Sequence, residues 1–130
     1  MAAAQWAPEI GSGRNAKGED VRDYPTEKEL RAIRNWKGTM RELWDYVVGL
    51  WYIPEWGVKV EVGDEVDKLE LHTGGWSGNE SIIFALEHSK CWFMPNFLTR
   101  WERGGHFYFE IDHHMWDYNT SQAIAKAATK

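Results

Sequence analysis

The sequence predicts an α+β fold, a small, mainly antiparallel sheet of about four strands with helices packed on one face. Three observations predict it. Two capping-box signatures, Thr26 with Glu29 and Thr39 with Glu42, each open an apolar-periodic stretch. Two pairs of strand-like patterns each fold back on glycine, at Gly63-Asp64 and at Gly104-Gly105. A single apolar helical segment lies between those pairs, so the order reads α-α-β-β-α-β-β.

The elements follow in order. Residues 1–24 mix Ala, Gly, Pro and charge without periodicity and are expected to form a flexible arm. In PTEKELRAIRNWKG, Leu30, Ile33 and Trp36 recur at helical spacing, and Gly38 is the expected stop. The next helix gathers Leu43, Trp44, Tyr46, Val47, Leu50 and Trp51 on one broad arc, with Asp45 and Gly49 outside it. Pro54 and Gly57 end the helical region. GVKVEVG alternates strictly, with Val58, Val60 and Val62 on one face; Leu69, Leu71 and Thr73 then share a face against Lys68, Glu70 and His72. A third helix is expected from Asn79 to about Ser89, with Ile82, Ile83, Ala85 and Leu86 facing the core and Phe84 and His88 together on the far side. Met94-Pro95 reads as a break. FLTRWERGGHFYFEID reads as a hairpin with Gly104-Gly105 as a two-residue turn. That register pairs Trp101 with Tyr108 and Arg103 with His106 on the outer face, and Arg100 with Phe109 on the core face. Residues 25–118 form the single domain, and 119–130 a flexible tail.

Composition narrows the function classes. A chain of 130 residues suits one domain with a real core. The net charge of -5 disfavours direct nucleic-acid binding, which needs concentrated Lys and Arg. Nine tryptophans exceed what a core needs, so some are expected at pocket walls or interfaces. A lone cysteine, Cys91, permits no internal disulfide and reads as a small buried apolar residue. The start, MAAAQWAPEIGSG, lacks the plan of a signal peptide, and no apolar run suits a bilayer, so a cytoplasmic protein without membrane contact is expected.

Three stretches carry candidate chemistry. TGGWSGNE, a glycine-rich turn into a helix, reads either as a corner or as a ligand cradle. Ser77 and Glu80 have capping-box spacing and no Lys or Arg lies in the turn, which argues for the corner; Trp76 has no purely local explanation. The outer sheet face carries Glu70, His72, Trp101, Arg103, His106, Tyr108 and Glu110, which suit cross-strand pairs or an interface. DHHMWD offers Asp112, His114 and Asp117 on paper as metal ligands, but adjacent strand residues diverge and no Cys or i, i+4 His pair assists. No metal or cofactor is assigned. There is no GxSxG elbow and Cys91 has no sequence-local base, so no catalytic residue is assigned either.

Thr73-Gly-Gly-Trp-Ser-Gly-Asn-Glu80, then Ala85-Leu86, a Trp-rich stretch and Arg103-Gly-Gly-His106 before an aromatic strand together resemble small uncharacterised proteins encoded by bacteriophages and prophages. The resemblance spans roughly residues 69–111 and omits the first two helices. It implies a phage accessory protein in a bacterial host cytoplasm, and it carries no established activity to transfer. The joint occurrence of the two glycine motifs suggests that they meet in space, where Arg100 or Arg103 supplies the cation that the first lacks.

Two function classes follow. The first is a non-enzymatic binding protein for a host or phage protein, working as a homo-oligomer, with roles in host takeover or counter-defence. Its expected contact residues are Phe84, His88, Trp101 and Tyr108. The alternative is a small-ligand or nucleotide-binding protein, a sequestering module or weak hydrolase. Its site would draw on Trp76, Ser77, Asn79 and Glu80 with His72, Arg100, Arg103 and His106.

Overall fold

The structure, a computed structural model, describes residues 24–91 and 93–117. The expected arm, apart from Tyr24, and the expected tail lie outside the described residues. The element order is α1 (Glu27–Arg34), α2 (Met40–Leu50), α3 (Pro54–Gly57), β1 (Val58–Glu61), β2 (Val66–His72), α4 (Ser77–Glu87), α5 (Phe93–Phe97), β3 (Leu98–Glu102), β4 (His106–Asp112) and a short 3-10 turn, His113–Met115. All strand pairs are antiparallel, in the order β1-β2-β4-β3. The fold is α+β with helices on one face of the sheet, as the periodicities predict.

Both N-terminal capping boxes form. Thr26 accepts from the Glu29 N–H at 3.1 Å while Glu29 accepts from the Thr26 N–H at 2.8 Å. Thr39 and Glu42 repeat the exchange at 3.2 and 2.8 Å. Such a cap stabilises a helix by about 1 kcal/mol, so both starts are locally encoded. The end of α1 is less so. The helix stops at Arg34 and not at Gly38, and Trp36 lies beyond it, buried, with its indole N–H donated to the Thr39 carbonyl at 3.0 Å. Gly38 serves a close approach instead, since a Cβ there would stand 2.7 Å from the Glu42 carboxylate that closes the second box.

The Ser77–Glu80 capping box does not form. Helix α4 begins at Ser77 with Trp76 as its N-cap and no side-chain cap bond, so it starts earlier than Asn79. Met94-Pro95 likewise does not break the chain. It lies inside α5, within the first helical turn, where proline costs no hydrogen bond.

Leu69, Leu71, Phe107, Phe109 and Ile111 face the helices and are buried with Ile82, Ile83, Ala85 and Leu86 of α4 and the predicted arc of α2. The other face carries Lys68, Glu70, His72, Tyr108 and Glu110, with Trp56 of α3 against His72 at one end, an arrangement antiparallel sheets tolerate when one side is polar. Cys91 is buried in the core cluster, and burial pushes its thiol up.

The predicted register of the second hairpin is overturned. Its turn holds three residues, Arg103 to Gly105, with φ of +91° at Gly104 and +81° at Gly105. The pairs are Glu102↔His106, Trp101↔Phe107 and Arg100↔Tyr108, with a bulge before Leu98↔Phe109. One extra turn residue moves Arg100, Trp101 and Glu102 to the opposite face, and the bulge returns Leu98 to the core face. Trp101 therefore leaves the outer face and Arg100 joins it.

DHHMWD is a structural clasp. Asp67, 8% exposed, accepts from the Trp116 indole N–H at 2.8 Å, from His113 Nε2 at 2.8 Å and from the Gly63 N–H at 3.1 Å. The Trp116 carbonyl in turn accepts from the Arg41 N–H at 2.8 Å, tying this segment to α2. No helix among the described residues is long and apolar enough to cross a membrane.

Candidate functional site

The two glycine motifs meet. The Thr73 N–H donates to the Gly105 carbonyl at 2.9 Å, and a Cβ at Gly105 would overlap the Thr73 side chain. Gly74 and Gly75 also have positive φ, +62° and +77°. Two tight turns at one end of the sheet thus lock backbone against backbone, and functional side chains project from that end onto both of its faces.

On the outer face, β2 and β4 place His72 opposite His106. Their Nδ1 atoms are 2.7 Å apart, and His72 Nε2 is 2.8 Å from Glu70 Oε1. The chemistry of this chain is constrained. With Glu70 ionised and both rings neutral, His72 Nε2–H donates to Glu70, so His72 Nδ1 is an acceptor and His106 must donate from Nδ1. His106 Nε2 is then left with a free lone pair, next to Gly104. Two protons cannot occupy the space between the facing Nδ1 atoms, so the closed pair holds at most one positive charge. Around it, Tyr108 packs edge-on against His72 with centroids 5.8 Å apart and donates its hydroxyl to Glu102 at 2.9 Å. The Arg100 guanidinium lies 4.0 Å above the Tyr108 ring. An open cavity of about 440 Å³ continues along this face, lined by Lys68, Glu70, Arg100, Tyr108 and Glu110 among others.

An aromatic wall stands beside the histidine pair. Trp76 meets Tyr52 and Trp56 edge-on, with centroids 5.1 and 5.7 Å away, and Trp56 meets His72 at 6.3 Å. Asn79 holds this wall from behind. It is 1% exposed; its carbonyl accepts from the Tyr52 N–H at 2.8 Å, and its amide donates to the Tyr52 and Thr73 carbonyls at 3.2 and 3.4 Å. Next to this clamp Ile53 has φ of +53°, a strained conformation for a β-branched residue. Asn79 thus fastens a bent corner to the glycine turn.

On the helix side of the sheet, Trp101 is 62% exposed and stacks over Phe107. It lines two cavities. One, about 480 Å³, is an apolar groove of Met94, Pro95, Leu98 and Phe107 with Glu87 at its margin. The other, about 380 Å³, is bounded by Glu80, Ile83, Thr73 and the two glycine turns. On α4, Phe84 is 59% exposed and lies 4.2 Å, centroid to centroid, from His88, whose Nδ1 bonds the Phe84 carbonyl at 2.9 Å.

The expected ligand set is therefore split. His72, His106 and Arg100 share the outer face, and Trp76 reaches them through Trp56. Glu80 borders the cavity on the other side, Ser77 is exposed with its carbonyl accepting from the Ser81 hydroxyl at 3.0 Å, and Arg103 is exposed in the turn. Asn79 is a scaffold residue, its polar groups consumed inside the fold. Of the expected contact residues, Trp101 and Tyr108 lie on opposite faces, while Phe84 and His88 do form an exposed pair. Trp56 was not predicted, because PEWG reads as punctuation between helix and strand. Among the described residues no group of three or more His, Cys, Asp or Glu side chains could hold a metal.

Comparison with protein-family models, with curated proteins and with solved structures finds no match for this chain.

Proposed function

We propose that this chain is a non-enzymatic accessory binding protein, encoded by a phage, that acts as a homodimer on a host or phage protein in the bacterial cytoplasm. The observation that carries this reading is Trp101, an exposed tryptophan set between two cavities and backed by Phe107. Tryptophans in such settings anchor protein interfaces, because a large apolar body is desolvated at little conformational cost. Glu87 and Glu80 flank the cavities along α4, so the partner segment this groove fits is apolar with basic flanks. The phage setting rests on the resemblance of the TGGWSGNE and RGGH motifs, and a role in host takeover or counter-defence is consistent with it.

Trp101→Ala tests the reading. Its side chain is mostly exposed, so the variant keeps the melting temperature of the wild type while losing the partners that the wild type retains from host lysate. Retention of the same partners by a folded Trp101→Ala protein refutes the groove as the contact surface.

A second reading is favoured by one observation, the Glu70–His72–His106 chain beside Trp56 and Trp76. Here the protein sequesters a small ligand or nucleotide, with His106 Nε2 accepting a hydrogen bond and Arg100 supplying the cation. Titration with a nucleotide panel should then quench tryptophan fluorescence, and the quenching should fail in His106→Ala and Trp56→Ala. A flat response across the panel removes this reading.

A further inference from the structure

β1 is an edge of the sheet, and no described strand pairs with its outer side. A free edge presents unpaired N–H and C=O groups and is a ready template for another strand. Proteins commonly blunt such edges with charge or proline. Here the helix-side positions of the edge are Val58 and Val60, the latter 49% exposed, Lys59 and Glu61 occupy the outer side, and Val62, 75% exposed, follows directly after the strand.

We infer that β1 pairs antiparallel with β1 of a second copy, joining two sheets into one. The inference gives an interface to the homodimer proposed above and is independent of the Trp101 groove. Its support is the self-complementarity of Val58-Lys59-Val60-Glu61-Val62. About a two-fold axis through Val60, Lys59 lies opposite the partner's Glu61, Val58 opposite the partner's Val62, and Val60 opposite the partner's Val60. Charge fixes this register. An axis at residue 59 sets Lys59 against the partner's Lys59, and an axis at residue 61 sets two Glu61 carboxylates together; directly opposed like charges destabilise a sheet. The Val60 axis also keeps both helical layers on one side of the joined sheet, because residues of equal parity stay on one face.

The charge pattern extends inward from the edge. Lys59 is already opposite Glu70 of β2, and Glu61 opposite Lys68, which faces Glu110 of β4. Across the joined edges the outer row reads Glu70, Lys59, the partner's Glu61, the partner's Lys68 and the partner's Glu110. Signs alternate along the whole row. On the other side of the sheet, pairing withdraws Val60 and Val62 from water on both copies.

Sedimentation of the full chain and of two charge-reversed variants tests this. Lys59→Glu sets two carboxylates against each other at each end of the interface, and Glu61→Lys sets two ammonium groups there. Each variant alone is expected to raise the dimer dissociation constant about tenfold, as two attractive cross-strand pairs become repulsive. Mixing the two variants restores complementarity, so a tagged Lys59→Glu chain should retain an untagged Glu61→Lys chain. A structural effect of either substitution within its own sheet gives no such rescue. Val62→Asp, at a position outside the strand, should weaken the wild-type dimer without lowering the stability of the monomer.

A wild-type chain that stays monomeric over the accessible concentration range overturns the inference and the homodimer together. A monomer that both reversals destabilise, with no rescue on mixing, assigns the edge to the chain's own residues and likewise overturns it. A dimer indifferent to both reversals places the contact elsewhere, which overturns the edge pairing but leaves the homodimer standing.

Discussion

Asp67 gives the sharpest test of what holds the described domain together. Replacing it with Asn changes almost no volume but leaves only one acceptor oxygen for three N–H donors, from Gly63, His113 and Trp116. The amide can keep its oxygen toward Gly63 and His113, which places its NH2 against the indole N–H of Trp116, 6% exposed. A buried donor facing a donor costs about 1–3 kcal/mol, and the two remaining bonds lose their charge assistance. The sum is about 3 kcal/mol, equivalent to a drop of roughly 10–20 °C in Tm for a domain of this size. The loss has a pH signature. Burial by itself pushes the Asp67 carboxyl up, but hydrogen bonds from Trp116, His113 and Gly63 reverse that and hold it below the ordinary aspartate range. A carboxyl depressed on folding contributes stability that is complete above its unfolded pKa, near pH 4, and that drains away as pH falls through the lower folded value. The gap between wild type and Asp67→Asn should therefore be constant from neutrality to about pH 5 and narrow below about pH 4. Urea denaturation followed by tryptophan fluorescence at several pH values measures it. A neutral-pH gap under about 1 kcal/mol, or one that widens on acidification, refutes the clasp.

Three further outcomes are expected. The Tyr46 hydroxyl is buried with no hydrogen-bond partner among the described residues, and burial, then the charge of Glu29, pushes its pKa to about 12. Tyr46→Phe should therefore stabilise by about 1 kcal/mol in a thermal melt, and should keep stability above about pH 10 that the wild type loses. Gly105→Ala meets both a φ of +81° and the Thr73 side chain, so a loss of about 2–4 kcal/mol is expected by urea titration; a neutral result would contradict the turn-to-turn contact. Nitrogen NMR of the histidine rings at neutral pH should find His106 protonated at Nδ1 and His72 at Nε2, and finding the same tautomer in both rings excludes the facing Nδ1 pair.

The legibility of the fold in the sequence follows the range of the interactions. Thr26 with Glu29 and Thr39 with Glu42 satisfy their own helix ends within four residues, so α1 and α2 start where the residues say. Strict alternation from Val58, and the Leu69, Leu71 pair against Lys68, Glu70 and His72, suffice for the first hairpin, because one covered face is enough to fix its parity. Ser77 and Glu80 have the same spacing as the working boxes, yet the box stays open. There the helix entry is set from outside, by Asn79 binding the backbone of Tyr52, which lies 27 residues away in sequence. Local spacing cannot report a partner at that distance. The same holds for His113, whose partner Asp67 lies 46 residues away in sequence.

The site was harder to read than the fold because one turn residue decides which side of the sheet a β3 side chain occupies. Arg-Gly-Gly-His is compatible with a two-residue or a three-residue loop, since both glycines accept positive φ in either. The three-residue loop exchanges Trp101 for Arg100 on the outer face. With the shorter loop, tryptophan and tyrosine would have formed a single aromatic patch on an otherwise charged face. With the longer one, Arg100 covers Tyr108 and closes a polar row with Glu102, while Trp101 turns to the helix side and stands over Phe107. Apolar and ionisable groups are thereby sorted to opposite faces at the same end of the sheet. That sorting gives the protein two chemically distinct surfaces, one suited to desolvated protein contact and one to hydrogen bonding. Gly105, pressed against Thr73, is the residue that fixes them relative to each other.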